Sequence, residues 1–448
     1  MHYLLIEPEF PISTKSKNHK DFLPIGLLKI AALLENQGHS VLLVRGNRSL
    51  LDLFVINHEI NDTSKKKMKK KQKLDYKPDE IWITSLFTYW INDVKKSVTH
   101  YKTMFPDSTI VVGGIAASLF GEEKTKELTS CDRIHVGVIP EAENISTNKM
   151  KETYDKFLGE IDFQIIHAQR GCFRRCKFCG TWKIEPKEIN EKTIKEKIFK
   201  RNLVFYDNNF LRNPFIHDIL DELIELKKER KIGWCESQSG FDGRLLVKDP
   251  SLVEKLKNAG FRNVRIAWDD SYKSADSIEK QINILTNGKR SFTRKELEIF
   301  MLYNWDIGFN EMEKKRVKCF EWGVQISDCR FRPLDQTYDN YNPRNLGQTN
   351  DDYYIHTNWN DFLVKQFRRN VRRHNICVRR ELNFYCKLFE RKIISKEIIG
   401  SFLKINNKEK EKKFLSNNNY EFWDPSIPDI KNEVNVVNKI SDIPKLLH

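Results

Sequence analysis

Ile165-Ile166-His167-Ala168-Gln169-Arg170-Gly171-Cys172-Phe173-Arg174-Arg175-Cys176-Lys177-Phe178-Cys179-Gly180 runs from a short apolar segment into a glycine-flanked loop that carries three thiols at the spacing C-x3-C-x2-C. Phe163, Ile165 and Ile166 predict a strand. The Gly, Arg and Lys that follow predict a loop, which three sulfurs require if they are to converge on one centre. Thiolates are soft ligands suited to zinc or to an iron–sulfur cluster, and a cluster held by three cysteines keeps one iron open for another ligand. Zinc would want a fourth ligand at comparable spacing, and none follows; His167 is the nearby candidate, and it lies upstream. Three inert core thiols fit so basic a neighbourhood poorly. The cluster is the favoured reading.

Outward from the loop toward the C-terminus, strands and helices alternate. Leu203 to Tyr206 predicts a strand ending in Asp207-Asn208-Asn209, and Phe215 to Lys228 an amphipathic helix. Trp234 leads a strand through Glu236 and Gln238. Asp249-Pro250 reads as N-cap and first-turn proline of a helix closing at Gly260. Asn263 to Trp268, Ile299 to Tyr303 and Val324 to Phe331 are further strands, with a helix from Phe309 to Trp322. Counted from Phe163, these make six β/α repeats over residues 160–335. In parallel barrels the chemistry gathers where strands end. That rule selects Asp207, Asn208, Asn209, Glu236, Ser237, Gln238, Asp269 and Asn304.

Toward the N-terminus, residues 1–150 alternate in the same way. Strands are predicted at Tyr3 to Ile6, Val41 to Val44, Ile81 to Leu86 and Thr109 to Val112. Helices are predicted after Pro24, over Leu51 to Ile60 and over Asn92 to Met104. The pattern argues for an open parallel sheet whose ligands would lie beyond Glu7, Ser85 and Gly113.

The triad, with aromatic Phe178 just before its last cysteine, resembles the signature of radical S-adenosylmethionine (radical SAM) enzymes, whose core is an open six-unit barrel. The resemblance implies a [4Fe–4S] cluster on Cys172, Cys176 and Cys179, with its open iron chelated by S-adenosyl-L-methionine. It implies reductive cleavage of SAM to methionine and a 5′-deoxyadenosyl radical, and an electron donor such as a flavodoxin or ferredoxin. Carried over by position, Phe178 would lie near the adenine and Asp207-Asn208-Asn209 would meet the SAM amino group. Glu236, Gln238 and Asp269 would meet its ribose and carboxylate.

The N-terminal region looks like the cobalamin-binding-type domain often found ahead of such barrels. That likeness rests on Pro24-Ile25-Gly26-Leu27, on Glu35-Asn36-Gln37-Gly38-His39, and on Ser85 followed by Gly113-Gly114. The D-x-H-x-x-G element that supplies the lower cobalt ligand in many of those domains is missing, and His19 and His39 have the wrong surroundings to replace it. The bulky run Phe87, Tyr89, Trp90 would fill the cleft where a corrin sits. A cofactor-free domain is therefore the greater reading and bound cobalamin, with methyl transfer as the expected chemistry, the lesser.

The expected fold is thus α/β: a Rossmann-like parallel-sheet N-terminal domain (1–150), a partial (βα)6 TIM barrel (160–335) and a basic, mostly helical C-terminal extension (336–448). In the extension, Trp359 to Arg373 predicts a helix with Leu363, Phe367 and Val371 on one face. Lys365, Arg368, Arg369, Arg372, Arg373, Arg379 and Arg380 make it the most basic stretch with order, either a solvated face or a fork for phosphate. Cys319, Cys329, Cys377 and Cys386 are candidates for a second cluster, at irregular spacing.

At 448 residues with a formal charge of +15, the chain can bury a large core and should favour an anionic partner, such as a nucleotide or RNA. The run Lys65 to Lys71 reads as a solvated insertion, or as a nucleic-acid arm. Nine cysteines without disulfide-framework spacing, no leader and no long apolar run point to a reducing, cytoplasmic setting without a membrane. The rival reading is a non-catalytic nucleic-acid-binding protein with a structural zinc or iron–sulfur site.

Overall fold

A computed structural model describes residues 1–11, 24–61, 76–387 and 407–430, with positions 400, 402 and 405. The run Lys65 to Lys71 and His19 lie outside the described residues. The chain is mixed α/β and packs as two compact units. The first comprises residues 1–209, 213–233 and 333–339; the second comprises 210–212, 234–332 and 340–448.

The first unit is built on a five-stranded parallel sheet: β1 (His2–Glu7), β2 (Ser40–Arg45), β3 (Glu80–Ser85), β4 (Thr109–Gly114) and the short β5 (Arg133–Ile134), in the order β2-β1-β3-β4-β5. Period-two alternation places the two sets of side chains on opposite faces. Leu4, Ile6, Leu42, Val44, Ile81, Ile83, Ile110 and Val112 pack beneath α2 (Leu50–Asn61) and α3 (Ile91–Met104). Tyr3, Leu5, Val41 and Leu43 pack instead against α1 (Ile25–Asn36), through Leu27, Leu28, Ala31 and Leu34. The sequence leaves residues 115–158 unassigned; they form α4 (Ile115–Phe120), α5 (Glu122–Thr129), α6 (Pro140–Glu143) and α7 (Thr147–Leu158). Helices α4 and α6 are 6 and 4 residues long, too short for periodicity to register.

The same unit holds β6 (Phe163–Ile166) paired in parallel with β9 (Asn202–Phe205), and a small hairpin of β7 (Gln169–Arg170) and β8 (Ile189–Asn190) on either side of α8 (Thr181–Ile184). Helix α9 (Ile216–Lys228) buries Ile219, Leu220, Leu223 and Leu226. Among the described residues no helix is long and apolar enough to cross a membrane.

The second unit contains β10 (Cys235–Ser237), α10 (Gly243–Lys248), α11 (Ser251–Asn258), β11 (Val264–Ala267), α12 (Ala275–Thr286), β12 (Leu297–Tyr303), α13 (Phe309–Glu321) and β13 (Gln325–Arg330). β11, β12 and β13 pair in parallel, and the isolated bridges Cys235–Phe261 and Phe241–Ile266 run parallel too. Pro250 rather than Asp249 is the N-cap residue of α11, yet the Asp249 carboxylate still accepts from the Ser251 amide at 3.2 Å. The basic helix α14 runs from Asp361 to Arg380 and buries Leu363, Phe367 and Val371. Part of its charge is consumed inside the unit: Lys365, only 4% exposed, pairs with Asp361, and Arg373 lies over Tyr385 and Trp423. The tail, silent in sequence, adds α15 (Lys408–Asn417) and a two-residue strand that pairs with Tyr385–Cys386.

Candidate functional site

In the first unit, the backbone just before the thiols is gripped by the residues that end β9. The Asp207 carboxylate accepts from the Ala168 amide at 3.0 Å, the Asn208 side-chain oxygen accepts from the Gly171 amide at 2.7 Å, and the Asn209 amide donates to Gln169 Oε1 at 2.9 Å. Gln169 in turn donates through Nε2 to the Arg170 and Gly171 carbonyls. Asn213 adds a bond to the Ala168 carbonyl at 2.7 Å. Glu185, just past the loop, clasps Arg170 at 2.5 and 3.1 Å and also reaches the Gly171 amide at 3.3 Å. The loop is thereby closed at its base.

Two residues with positive φ curl it: Gly171 at +79° and Arg175 at +47°. A Cβ on Gly171 would drive into the Lys187 carbonyl, so no other residue fits there. The Cys179 amide donates to the Cys176 carbonyl at 3.1 Å, and Trp182 Nε1 donates to the same oxygen at 3.2 Å. Cys172, Cys176, Phe178 and Cys179 are all half-buried, and none of the three thiols is in a disulfide. Burial pushes the Cys172 thiol up; the Arg174 amide opposes this, and the nearby Cys179 adds to it.

In chemistry the donor set suits a thiolate-ligated cluster: three soft donors outside any disulfide on one curled loop, with Cys172 and Cys179 in electrostatic reach of each other. Among the described residues no three His, Cys, Asp or Glu side chains, those of the triad included, are grouped closely enough to hold a single metal ion.

Asp207 is completely buried, and its second oxygen has no hydrogen-bond partner among the described residues. Burial holds its carboxyl well above the ordinary range. Its side chain is turned toward the strand-end backbone. Asn208, half-buried, instead lines a cavity of about 370 Å³ in the same unit. That cavity opens beyond Glu7, Ser85 and Gly113, where the sheet order places its switch point. One wall is a chain of alternating charge: Lys29 to Glu143 at 2.5 Å, Glu143 to Arg170 at 2.7 Å, and Arg170 to Glu185 at 2.5 Å. His167 stands beside it, its pKa held well below the ordinary value by burial and by Lys29, Arg170 and Lys197. Burial pushes Glu7 up to about 7, against the opposing pull of Arg45. Phe87, Tyr89 and Trp90, expected to fill this cleft, stack on one another and on Phe10 instead; Phe10 faces the cavity.

The remaining candidates belong to the second unit. Glu236 is 8% exposed and committed to protein partners: Arg265 at 2.9 Å, Asn263 at 2.9 Å and Arg262 at 3.6 Å. Gln238 is half-buried. Asp269 is pushed up to about 6 by burial, with Lys315 pulling the other way. The buried Lys315 is itself brought down to about 8 and donates to the Trp268 and Asp270 carbonyls. Asn304, also buried, bonds the Tyr354 carbonyl and the His356 amide.

Of the second-cluster candidates, Cys329 is exposed. Cys377 and Cys386 sit with Leu382, Phe384, Phe402 and Leu415 in an apolar cluster, and Cys319 is fully buried. They are small core side chains. Sequence reasoning passed over Lys29, His135, Glu143 and Glu185 as parts of a site, and weighed His167 only as a zinc ligand. Lys29 and Glu143 lie far apart in the chain, and nothing in their local sequence distinguishes them from surface charges.

No protein-family model matches the chain, and no curated protein matches it. Among solved structures, the crystal structure of a novel cobalamin-binding protein from Desulfitobacterium hafniense DCB-2 aligns at 14% identity and a TM-score of 0.19. The alignment covers 32% of this chain and 55% of that one, just over half its length. A likeness of that size carries no argument here.

Proposed function

We propose that the chain is a radical SAM enzyme, with Cys172, Cys176 and Cys179 holding a [4Fe–4S] cluster on a partial (βα)6 barrel and SAM as co-substrate. The observation that supports it most is the closed loop: three thiols outside any disulfide at C-x3-C-x2-C, based on Gly171, which Asn208, Gln169 and Glu185 hold together. When bound, the cluster would supply one electron to the SAM sulfonium, giving methionine and a 5′-deoxyadenosyl radical that takes hydrogen from the substrate.

The chain's own residues would position and shield. Gln169, Asn208 and Glu185 fix where the loop begins; Arg174 opposes the rise in the Cys172 pKa and so favours the thiolate ligand. Asp207 acts in this reading as a positioning residue, through the Ala168 amide. The N-terminal sheet is read as working without cobalamin; bound cobalamin would make methyl transfer the variant. A flavodoxin or ferredoxin would deliver the electron, and the substrate would be anionic.

The test is anaerobic loading with iron and sulfide, followed by dithionite and SAM. The expected result is 5′-deoxyadenosine in the wild type and none in Cys172→Ala of equal solubility. A loaded cluster whose spectrum ignores SAM and which forms no 5′-deoxyadenosine would favour the rival, a nucleic-acid binder whose affinity falls steeply with salt.

A further inference from the structure

We infer that the cavity of the first unit binds a small amphiphilic anion: an apolar, ring-bearing molecule carrying one carboxylate, sulfonate or phosphate group. The inference stands apart from the cluster reading, because none of its residues is a thiol and its test reads no turnover.

Size sets the first limit. A cavity of about 370 Å³ lies at the lower end of the range for small organic ligands, so its occupant is of drug size or below. Chemistry sets the second. Phe10, Ile30, Trp82, Leu86 and Ile139 give the walls their apolar character. Rings and alkyl groups would displace water from those walls at a gain of roughly 25 cal/mol per Å².

The charge of the ligand follows from the donors that face it. Helix α1 begins at the cavity, where Ile25, Gly26 and Leu27 form part of the lining. The cap residue Pro24 offers no side-chain bond, and the first turn carries no acid. Among the described residues, the helix therefore presents its first amide groups and the positive end of its dipole without a capping side chain or a first-turn acid. His135 is the independent second observation. It lines the same cavity, and its Nε2 is buried without a hydrogen-bond partner among the described residues.

The acids of the wall do not cancel this field. Glu143 and Glu185 are each held by Lys29 or Arg170, and Glu7 is held by Arg45 at 2.5 Å. An arriving anion would meet the helix terminus, His135 and the Lys29 ammonium together, and Glu143 would keep Arg170 as its partner.

The experiment uses the full chain and two dyes of similar shape, anionic 8-anilinonaphthalene-1-sulfonate and neutral N-phenyl-1-naphthylamine, titrated by fluorescence. A cooperative thermal melt accompanies each variant, so that dye uptake by a loosened fold is recognised. Nothing lies within 4 Å of a Cβ added at Gly26, so Gly26→Trp should fold and fill the space. The expected results are saturable one-to-one binding of the anionic dye, lost in Gly26→Trp. Lys29→Met should weaken the anionic dye about tenfold and leave the neutral one unchanged. If Lys29→Met does not fold, salt replaces it: affinity for the anionic dye should fall with ionic strength, and for the neutral dye it should not. Undiminished binding in Gly26→Trp would overturn the inference, as would equal effects on both dyes. So would stoichiometric displacement by hydroxocobalamin, which would give the cavity to a corrinoid.

Discussion

Glu313 and Arg316 of the second unit are shut off from water completely, at 0% exposure each, whereas Glu143, Arg170, Lys29 and Glu185 of the first unit keep 16–24% of their side chains open along a cavity wall. The sealed pair is fully satisfied. Arg316 meets both Glu313 oxygens at 2.9–3.0 Å and donates to the Pro425 and Ile427 carbonyls, while Glu313 accepts from the Asp429 amide. It fixes a piece of tail to helix α13. The open chain is a different device. Water, or an occupant of the cavity, can replace any one of its partners, so a member can be released without stranding a bare charge. Permanent anchoring needs the first arrangement, and a wall that must tolerate a ligand needs the second.

The comparison breaks most readily at Arg316. Arg316→Met should cost about 3–5 kcal/mol in urea denaturation, because it leaves Glu313 buried without its counter-charge. A loss below about 1 kcal/mol would mean that water reaches the pair after all.

Next comes Glu7, a carboxylate in the cavity wall whose partner Arg45 is 45% exposed. Its folded pKa of about 7 lies above its ordinary 4.5, so the folded state holds more protons between those values. Stability should therefore fall as pH rises through that window, at up to about 1.4 kcal/mol per pH unit, and the contribution is gone above it. Glu7→Gln should flatten the profile; an unchanged slope would assign the titration elsewhere.

Glu185→Gln should cost less, about 1–2 kcal/mol, because Arg170 keeps Glu143. Iron uptake on anaerobic loading should nevertheless fall, since the loop loses its clasp. The smallest effect belongs to the exposed Lys77–Asp107 pair, where Asp107→Asn should leave the denaturation midpoint unmoved.

The strands of both units were legible because they are short, continuous apolar runs: Tyr3 to Ile6, Val41 to Val44 and Ile299 to Tyr303 each lie inside an observed strand. The strand-end rule picks out positions but cannot say which way a side chain turns. Asp207 turns onto the Ala168 amide and Glu236 onto Arg265, and those partners are chosen by packing across the fold. The cavity was legible only as a place, beyond Glu7, Ser85 and Gly113. Its charged wall joins Lys29 to Glu143 over a separation of 114 residues, a relation that no local pattern records.

The two glycines that flank the thiols are not equivalent. Gly171 is blocked by the backbone of Lys187, which cannot yield; Gly180 is crowded by the tip of Leu119, which can rotate aside. A combinatorial library randomised at both positions and sorted for soluble, cooperatively melting clones should therefore return glycine at 171 almost without exception and a mixture of small residues at 180. The distance from strand to first thiol is thus counted from a fixed origin, and any drift in the length of this loop would be accommodated downstream of Cys179.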